Sequence, residues 1–451
     1  MNPQRLEAEQ IVTGSQTPPG RSVGIDFGTT NTVIALADPD GQVEVLTFRC
    51  GEEVLRVYMS ALCFWEEGQG GASQTQVEGG PWAVRQFLEG TGTHRFIQSF
   101  KTFAASRAFK DTRIFRRRFE FEDLMAAFLR TLWRHAGASP VDATGSIVVG
   151  RPVRFSGGNP DDALAGSRYR AAFHRLGVRN EHYVYEPVGA AFFFAQRLRA
   201  DAVVLVADFG GGTSDFSVVR FARRGGRLEA RPLGHAGIGI AGDTFDYRII
   251  EEVVSPRLGK DGQYKSFGKI LAMPQSYFAN FARWNQLAMM KTSGELAELG
   301  KLARFALDPE PLHKFIAIVE NDLGLLLYRA VSRAKAELSA QDLTEFRFQH
   351  AGIDIRQTIA RSEFEAWIAA DVDRLAATVD EALANAGLTA AGIDQVFLTG
   401  GSSFIPAIRR LFDQRFGSDR IASGDQFESI ASGLALIGQS ANLADWTVKA
   451  A

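Results

Sequence analysis

The feature that most constrains this chain is a pair of glycine turns built to one plan. Residues 203–219 read VVLVADFGGGTSDFSVV, and residues 23–37 read VGIDFGTTNTVIALA. In each stretch an apolar strand ends in Asp-Phe-Gly, small residues make the turn, and a second apolar strand returns. Glycine permits positive φ and close approach to the backbone, so each turn exposes several N–H groups toward one point. Such a nest of donors suits phosphate oxygens.

Two aspartates beside these turns refine the prediction. Asp26 and Asp208 would repel a phosphate, unless a divalent cation lies between the carboxylates and the phosphate oxygens. Mg²⁺ binds in this way, through one or two carboxylates plus phosphate. One such hairpin alone is more often an ordinary turn with a capping aspartate, whereas the matched pair favours a magnesium–nucleoside triphosphate site.

The length and the repeated plan predict two domains. A chain of 451 residues exceeds one ordinary core. Strands and helices alternate between residues 146 and 198, which implies a sheet with a parallel part and right-handed crossovers. The second half restates the first, so the hairpins are expected to face each other across a cleft. The expected segments are a flexible tail (1–20), domain I (21–200) with a basic subdomain (about 41–118), domain II (201–440) with a mainly helical subdomain (about 246–345), and a C-terminal tail (441–451).

Apolar periodicity predicts several helices. Residues 119–136 and 325–338 carry apolar side chains at helical spacing. Ser362 and Glu365 form a capping-box pattern, which predicts the start of a long helix that runs to Asn385.

Composition excludes several classes of protein. The net charge is −2, and 23% of the residues are charged, which argues against a dedicated nucleic-acid coat or a polybasic membrane anchor. The chain has two cysteines, no apolar run of membrane-spanning length, and a polar start unlike a signal peptide. We therefore expect a cytoplasmic protein, a monomer without a membrane partner.

Three short motifs and one basic stretch do not change this prediction. Asp-Phe-Gly occurs twice, but the other protein-kinase motifs are missing. The G-x-G-x-x-G match at 237–242 lies too late in the chain to open a dinucleotide-binding unit, and no P-loop sequence occurs. Residues 95–118 hold eight Lys or Arg against one acid, interleaved with phenylalanines. Such mixtures can bind nucleic acid, although a solvated surface is the favoured interpretation.

These motifs together resemble a known superfamily. VGIDFGTTNTVIA resembles the first phosphate motif of the actin, sugar-kinase and heat-shock-chaperone ATPases, VLVADFGGGTSDFSVV resembles the second, and VFLTGGSSFIPAIRRLF resembles the adenosine motif. YEPVGAAFFFA, GIAGDTFD and SRAKAELS are most similar to the DnaK-type heat-shock chaperones, especially the YegD-like branch, which has the ATPase domain without a peptide-binding domain. The resemblance covers about residues 21–440. It implies an α/β fold of two duplicated ribonuclease-H-like (actin-like) domains, each with an added subdomain, around a central nucleotide cleft.

The resemblance also implies roles for individual residues. Asp26 and Asp208 would hold Mg²⁺, mainly through water. Glu186 would polarise the attacking water, and Lys101 would lie near the γ-phosphate. Glu186, Lys101 and Asp208 are therefore the expected catalytic residues. ATP or ADP phosphates would be bound by Gly28, Thr29, Thr30, Asn31, Gly210, Gly211, Gly212 and Thr213. The adenosine pocket would consist of Gly242, Lys335, Ser339, Gly400, Gly401, Ser402 and Phe404.

Each of these residues also has a simpler interpretation, and two positions depart from the family. Glu186 precedes a proline and could be an acid that the helix dipole favours. Lys101 could be a surface cation, and Lys335 could pair with Glu337 or water. The family often has an acid where Ser332 stands and a stacking arginine where Phe404 stands.

The resemblance implies an ATP-hydrolysing conformational switch that acts on a protein client or co-factor. Two alternatives stay open at this point. One is a small-molecule, sugar-type kinase on the same fold, which would need an acidic base near an acceptor hydroxyl. The other is a non-catalytic, nucleotide-sensing scaffold.

Overall fold

The structure is a computed structural model that describes residues 20–68, 74–137, 145–157, 159–224, 227–287, 290–291, 294–423, 428–440 and 443–448. The predicted N-terminal tail lies outside these residues, except for Gly20. Among the described residues, no helix combines the length and the apolar composition needed to cross a membrane.

The central strands of the two large sheets are buried along almost their whole length, whereas other strands, such as Leu343–His350, alternate between buried and exposed positions. In chain order they are β1 (Ser22–Phe27), β2 (Asn31–Ala37), β3 (Val43–Val45), β4 (Phe48–Cys50), β5 (Glu53–Leu55), β6 (Tyr58–Met59), β7 (Ala61–Glu67), β8 (Gln74–Gly79), β9 (His94–Gln98), β10 (Thr112–Ile114), β11 (Arg117–Phe119), β12 (Ile147–Arg151), β13 (Glu181–Tyr185), β14 (Ala202–Phe209), β15 (Ser214–Arg224), β16 (Arg227–Ile238), β17 (Gln263–Ser266), β18 (Lys269–Ala272), β19 (Leu343–His350), β20 (Ile353–Ala360), β21 (Gln395–Thr399) and β22 (Ile421–Ser423).

The helices pack against these sheets or against one another. They are α1 (Gly80–Glu89), α2 (Phe121–Ala136), α3 (Asp162–His174), α4 (Glu186–Ala195), α5 (Gly242–Ile249), α6 (Gln275–Phe281), α7 (Trp284–Leu287), α8 (Glu295–Ala303), α9 (Glu310–Glu320), α10 (Gly324–Ala340), α11 (Arg361–Asn385), α12 (Pro406–Phe416), α13 (Ser429–Gly438) and α14 (Leu443–Trp446).

Two sheets share one strand order, which confirms the predicted duplicated α/β fold. The first runs β13-β12-β1-β2-β3, and the second runs β22-β21-β14-β15-β16. In both, the first strand of the hairpin lies at the centre, with two antiparallel partners on one side and two parallel strands on the other. We call the half of the chain around the first sheet lobe I and the half around the second lobe II.

Two helices cross between the lobes. Helix α4 follows the last strand of the first sheet yet packs on β14 and β15 of the second. Helix α13 follows the last strand of the second sheet yet packs on β1, β2 and β12 of the first. The two helices also pack on each other, and apolar side chains from both sheets surround them in one buried cluster. This exchange of helices joins the lobes below the cleft.

Three local features differ from the sequence-based expectations. Within the subdomain predicted as mainly helical, β17 and β18 form a hairpin, because Phe267 and Gly268 both adopt positive φ as a two-residue turn requires. Helix α11 begins at Arg361 instead of Ser362, since β20 runs directly into Ala360, and Glu363 rather than Glu365 accepts the Ala360 N–H at 2.8 Å.

Residues 443–448 belong to the predicted C-terminal tail, yet they pack on lobe I. Trp446 is buried with its ring centroid 5.6 Å from that of Phe192. The N–H of Val448 donates to the carbonyl of Tyr183 at 2.8 Å. This segment therefore covers the outer edge of the first sheet.

Candidate active site

A cavity of about 490 Å³ lies between the lobes, and it collects the predicted site residues. All of them except Gly212 and Phe404 line it: Asp26, Gly28, Thr29, Thr30, Asn31, Lys101, Glu186, Asp208, Gly210, Gly211, Thr213, Gly242, Lys335, Ser339, Gly400, Gly401 and Ser402. These residues come from distant parts of the chain, so only the fold brings them together.

The two glycine turns have the same hydrogen bond at the same place. The Gly28 N–H donates to the Asn31 carbonyl at 3.0 Å, and the Gly210 N–H donates to the Thr213 carbonyl at 2.9 Å. The strand register is also the same, so that the two aspartates, Asp26 and Asp208, each stand two residues before the turn glycine. The repeated sequence plan is therefore a repeated geometry.

These turns face each other across the cavity at close range. A Cβ built on Gly211 would lie 2.3 Å from Thr30 Oγ1, which only glycine avoids. The hydroxyl of Ser156 in lobe I donates to the carbonyl of Gly212 in lobe II at 3.0 Å. Gly212 therefore contacts lobe I outside the cavity, whereas its neighbours Gly211 and Thr213 line the cavity.

Lys101 and Glu186 form a buried ion pair beside the turns. Lys101 Nζ lies 2.6 Å from Glu186 Oε1, and each side chain is 6% exposed. Lys101 is therefore not a surface cation. Burial alone would lower the pKa of Lys101, but the negative charges of Glu186 and its neighbours outweigh burial and raise it.

A buried arginine fixes the segment that carries Lys101. Lys101 lies in a short 3₁₀ turn, Phe100–Phe103, and the chain after it wraps around the Arg168 guanidinium. Arg168 Nη1 donates to the carbonyls of Phe103, Ala104 and Ser106 at 2.8 to 3.1 Å, and Nη2 donates to that of Phe109 at 2.6 Å. One side chain thereby binds four carbonyls of this irregular segment, of which that of Phe103 also accepts the Ser106 N–H at 3.1 Å.

The basic stretch is partly buried. Phe96, Phe100 and Phe109 are buried, whereas Phe103 and Phe115 are half-buried. The three buried rings are not exposed for stacking on bases.

Acidic side chains cluster at the centre of the cavity. Burial, together with the charge of Glu186, raises the pKa of Asp26 to about 8. Burial and the charges of Glu186 and Asp26 raise the pKa of Asp208 well above its usual range. Lys101 is the nearby cation among the described residues that opposes this charge. A cluster of carboxyl groups whose ionisation is suppressed in this way fits a divalent cation, which would return them to their ionised form.

A fourth buried acid links the lobes just outside the cavity. Asp215 follows the second turn, and its Oδ1 accepts the N–H groups of Val153 at 2.8 Å and Arg154 at 3.3 Å in lobe I. Burial raises its pKa to about 7. Because its backbone donors come from the segment after β12, Asp215 ties the second hairpin to lobe I.

The far end of the cavity is built on α5 and α10. Lys335 Nζ lies 2.8 Å from Asp246 Oδ1 and donates to the Gly242 carbonyl at 3.0 Å. The Ser332 hydroxyl donates to Asp246 Oδ2 at 3.2 Å. Lys335 therefore pairs with Asp246, whereas Glu337 accepts bonds from other groups. Asp246 supplies a carboxylate near the position where the family's acid is replaced by Ser332.

The first residues of α5 hold the second glycine turn in place. The N–H groups of Gly242 and Asp243 donate to the carbonyls of Gly210 and Gly211 at 3.2 and 2.8 Å. The Asp243 side chain lines the cavity, and burial raises its pKa to about 7. Asp243 and Asp246 belong to GIAGDTFD, so the motif contained the signal for both, although we did not assign them a role from sequence.

The third glycine turn follows β21. Gly400 has φ +83°, and a Cβ there would lie 2.1 Å from the Phe209 carbonyl, so this position requires glycine. Phe404 is 57% exposed and does not line the cavity. Trp284 and Tyr328 line it instead, in helices whose apolar spacing alone gave no reason to single them out.

Comparison with known proteins is consistent with this geometry. A family model described as "Hsp70 protein" matches residues 318–443, a segment of lobe II that includes Lys335 and the Gly400 turn. "Chaperone protein DnaK" of Thermotoga petrophila and of Thermotoga maritima are each 26% identical over 424 residues, which is 92% of this chain and 58% of theirs. "Chaperone protein dnaK3" of Thermosynechococcus vestitus is 24% identical over 431 residues, which is 92% of this chain and 55% of that protein. This chain therefore spans little more than half the length of these relatives.

Proposed function

Because this chain is related to the DnaK-type Hsp70 ATPase domain, we propose that it binds Mg²⁺ with ATP or ADP between its lobes and hydrolyses ATP as a conformational switch. The observation that carries this proposal is the placement of Asp26 and Asp208 at equivalent positions of two facing glycine turns. A duplicated turn with an acid at the same place on both sides suits one ligand gripped from two sides.

The chain's own residues supply binding and positioning. Backbone N–H groups and hydroxyls of both turns bind phosphate oxygens, while Asp26 and Asp208 hold the cation. The cation, when bound, neutralises charge on the phosphates. Glu186 orients and polarises the attacking water, and Lys101 holds Glu186 in place through the 2.6 Å ion pair. Catalysis then consists mainly of positioning and charge stabilisation.

The nucleoside end has its own set of contacts. Lys335, Ser339 and Gly242 line the cavity beside the Gly400 turn, where a ribose and base would lie. The ion pair with Asp246 holds Lys335 in the position where it would contact the nucleoside. Assignment to the YegD-like branch, and a protein client or co-factor, are further parts of the proposal that rest on the resemblance.

The crossing helices give the switch its mechanical basis. A phosphate gripped by both turns favours the closed arrangement, and its loss frees the lobes to separate. Since α4 begins at Glu186, motion of this helix is coupled to the hydrolytic group. Hydrolysis would therefore change the angle between the lobes.

The test is calorimetric titration of ATP and ADP with and without Mg²⁺, followed by measurement of phosphate release. We expect metal-dependent binding with slow turnover. Glu186→Gln should cut turnover at least 100-fold and leave ADP binding within a few-fold, as removal of a positioned polar group costs that much in comparable sites. Asp208→Asn should abolish the Mg²⁺ dependence of binding. Asp40→Asn, at an exposed position, is the matched control.

Measuring the stability of each variant distinguishes a loss of catalysis from a loss of folding. Asp208 is buried among other acids, so Asp208→Asn should stabilise the metal-free protein even as it removes function. Unchanged hydrolysis in both Glu186→Gln and Asp208→Asn would contradict the proposal. Phosphate transfer that requires an added sugar would favour the kinase alternative instead.

A further inference from the structure

A small ribbon in lobe II exposes much of the molecule's apolar surface. Residues 305–307 extend the β17–β18 hairpin, since the Lys265 N–H donates to the Phe305 carbonyl at 2.8 Å and the Leu307 N–H donates to the Gln263 carbonyl at 2.9 Å. We call this three-stranded unit the outer ribbon. Five of the nine large apolar side chains that are exposed among the described residues belong to it: Phe267, Ile270, Leu271, Phe305 and Leu307. None of these five lines the candidate active site.

One face of the outer ribbon packs on the core, and the other faces solvent. Side chains alternate between the two faces of a strand, and residues opposite each other in register share a face. Tyr264 and its bridge partner Ala306 pack against the core of lobe II. Phe305 lies on the opposite face with Lys265 and Ile270, and the two apolar side chains are 59% and 57% exposed. This face is therefore an apolar surface that the described residues leave uncovered.

The outer edge of the ribbon is able to accept another strand. Because the Lys265 N–H is directed toward Phe305, the N–H and carbonyl of its cross-strand partner Ile270 point away from β17. The same holds for Ala272, which lies opposite Gln263. All four residues of β18 are exposed, and no strand in the described part of the chain pairs with its outer side. β18 therefore offers the backbone groups to which an extended segment adds.

The tip of the hairpin carries an aromatic residue in a strained conformation. Phe267 has φ +47° and Gly268 has φ +76°, the two positive values that a type I′ turn requires. Asparagine is favoured at the first of these positions, whereas a bulky residue with positive φ is a conformational outlier. The Phe267 ring is fully exposed, so it contributes nothing to the core. A strained residue that presents a ring to solvent indicates contact with a partner.

The charges on the ribbon indicate the chemistry of that partner. Lys265, Lys269 and Arg304 lie toward the tip, are exposed, and form no ion pair with the described residues. Asp261 and Asp308 lie beyond the opposite end of the ribbon. The ribbon is therefore positive toward its tip and negative toward its base, which favours an added strand whose acidic end lies at the tip.

We propose that the outer ribbon is a docking site for an extended apolar segment of another protein, with acidic residues at its C-terminal end, that adds to β18 as an antiparallel strand. Its backbone would bond to Ile270 and Ala272, and its apolar side chains would contact Ile270 and Phe267. An antiparallel segment runs toward the tip, so its C-terminal acids would meet Lys265 and Lys269. Binding here requires no nucleotide, so the site goes beyond the proposed function and does not depend on it.

The first experiment measures peptide binding to the full chain without nucleotide, by fluorescence anisotropy. The probe is a fluorescein-labelled octapeptide of alternating valine and threonine that ends in two glutamates. We expect saturable binding. A peptide that ends in two lysines should bind at least tenfold more weakly, and so should one in which every valine and threonine is N-methylated, because it lacks the ladder donors. Absence of saturable binding, or a control peptide that binds as well as the probe, would overturn the proposal.

Variants locate the bound probe. Ile270→Pro removes the outward N–H and keeps the bonds within the hairpin, because this N–H has no partner in β17. Phe267→Asn removes the exposed ring and suits the turn, so the hairpin should be at least as stable. Each should weaken binding of the probe at least fivefold, whereas Leu343→Asn, at an exposed leucine on β19, should leave it within twofold. Unchanged affinity in Ile270→Pro and Phe267→Asn would overturn the proposal.

Two further measurements distinguish other occupants of this surface. Sedimentation equilibrium of the full chain reports pairing of β18 with a second copy, and cosedimentation with vesicles of phosphatidylcholine and phosphatidylserine reports a lipid surface. We expect a monomer and no vesicle binding. A dimer that Ile270→Pro abolishes, or vesicle binding that Phe267→Asn abolishes, would overturn the proposal in favour of that occupant. Loss of nucleotide binding with intact peptide binding would refute the proposed function and leave this site standing.

Discussion

The backbone of Gly433 in α13 lies directly on that of Gly189 in α4. A Cβ on Gly433 would come within 1.7 Å of the Gly189 carbonyl oxygen. No side chain fits between these helices, so the lobes are joined through backbone contact where the two helices cross. Neither glycine belongs to a phosphate turn, yet their contact sets the distance between the sheets that carry both turns.

Gly433→Ala should therefore lower stability. Overpacking of this kind typically costs about 1–3 kcal/mol, and the contact here is with backbone, which cannot rotate away. Denaturant unfolding measures the change. Gly166→Ala is the matched control, because α3 leaves open space around that position, and it should be neutral or stabilising by up to ~1 kcal/mol. Equal stability of the two variants would contradict the crossing geometry.

Arg168→Met should destabilise the segment that carries Lys101. The substitution removes the side-chain donor of four carbonyls, of which that of Phe103 keeps the Ser106 N–H, and each buried carbonyl left unsatisfied costs about 1–3 kcal/mol, less where water enters. The unfolding free energy and amide exchange of residues 100–110 should both report it. Arg170→Met, at an exposed position of the same helix, is the control. If the amide protection of residues 100–110 is the same in both variants, the guanidinium does not hold this segment.

Binding of Mg²⁺ with ADP should release protons at neutral pH. The pKa of Asp26 is raised to about 8, so at pH 7 the metal-free carboxyl is mostly protonated, and it must lose its proton to bind a cation. Apparent affinity should rise with pH between about 6 and 8 and level off above the raised pKa. Calorimetry in two buffers of different ionisation enthalpy gives the number of protons, which we expect to be roughly two, because the pKa of Asp208 is raised as well and this carboxyl must also ionise.

Asp26→Asn is the variant that tests this assignment. It removes one of the two titrating groups, so its binding heats should depend less on the buffer. Identical heats for the unchanged protein in both buffers would contradict the prediction. The same raised pKa means that the folded, metal-free protein holds this proton more tightly than the unfolded chain. Its stability should therefore fall as the pH rises from about 4 to about 8.

Phe404→Ala should leave nucleotide affinity within twofold. The ring is 57% exposed and lies outside the cavity, so it cannot replace the stacking arginine that the family often has at this position. Lys335→Met should weaken affinity about tenfold, as loss of a charge-assisted hydrogen bond typically costs about 1.5 kcal/mol or more. The comparison uses displacement of a fluorescent ADP analogue. A larger loss in Phe404→Ala than in Lys335→Met would place the base at Phe404.

The sequence by itself determined the turns and the acids beside them. Residues 23–37 and 203–219 contain everything that a strand, a two-residue glycine turn and a returning strand require, so their geometry is local and could be predicted. Their repetition in the chain also predicted the duplicated domains. Helices such as α2 and α10 followed from the spacing of apolar residues for the same reason.

Only the tertiary structure decided what surrounds those turns. The sequence left open whether Lys101 lies at the site or is a surface cation, because nothing near it in sequence shows that it will pair with Glu186 in the interior. Arg168 gave no signal at all, since its four carbonyl partners lie about sixty residues earlier in the chain. Burial and pairing depend on contacts between segments that are distant in sequence, and periodicity carries no information about which segments will meet.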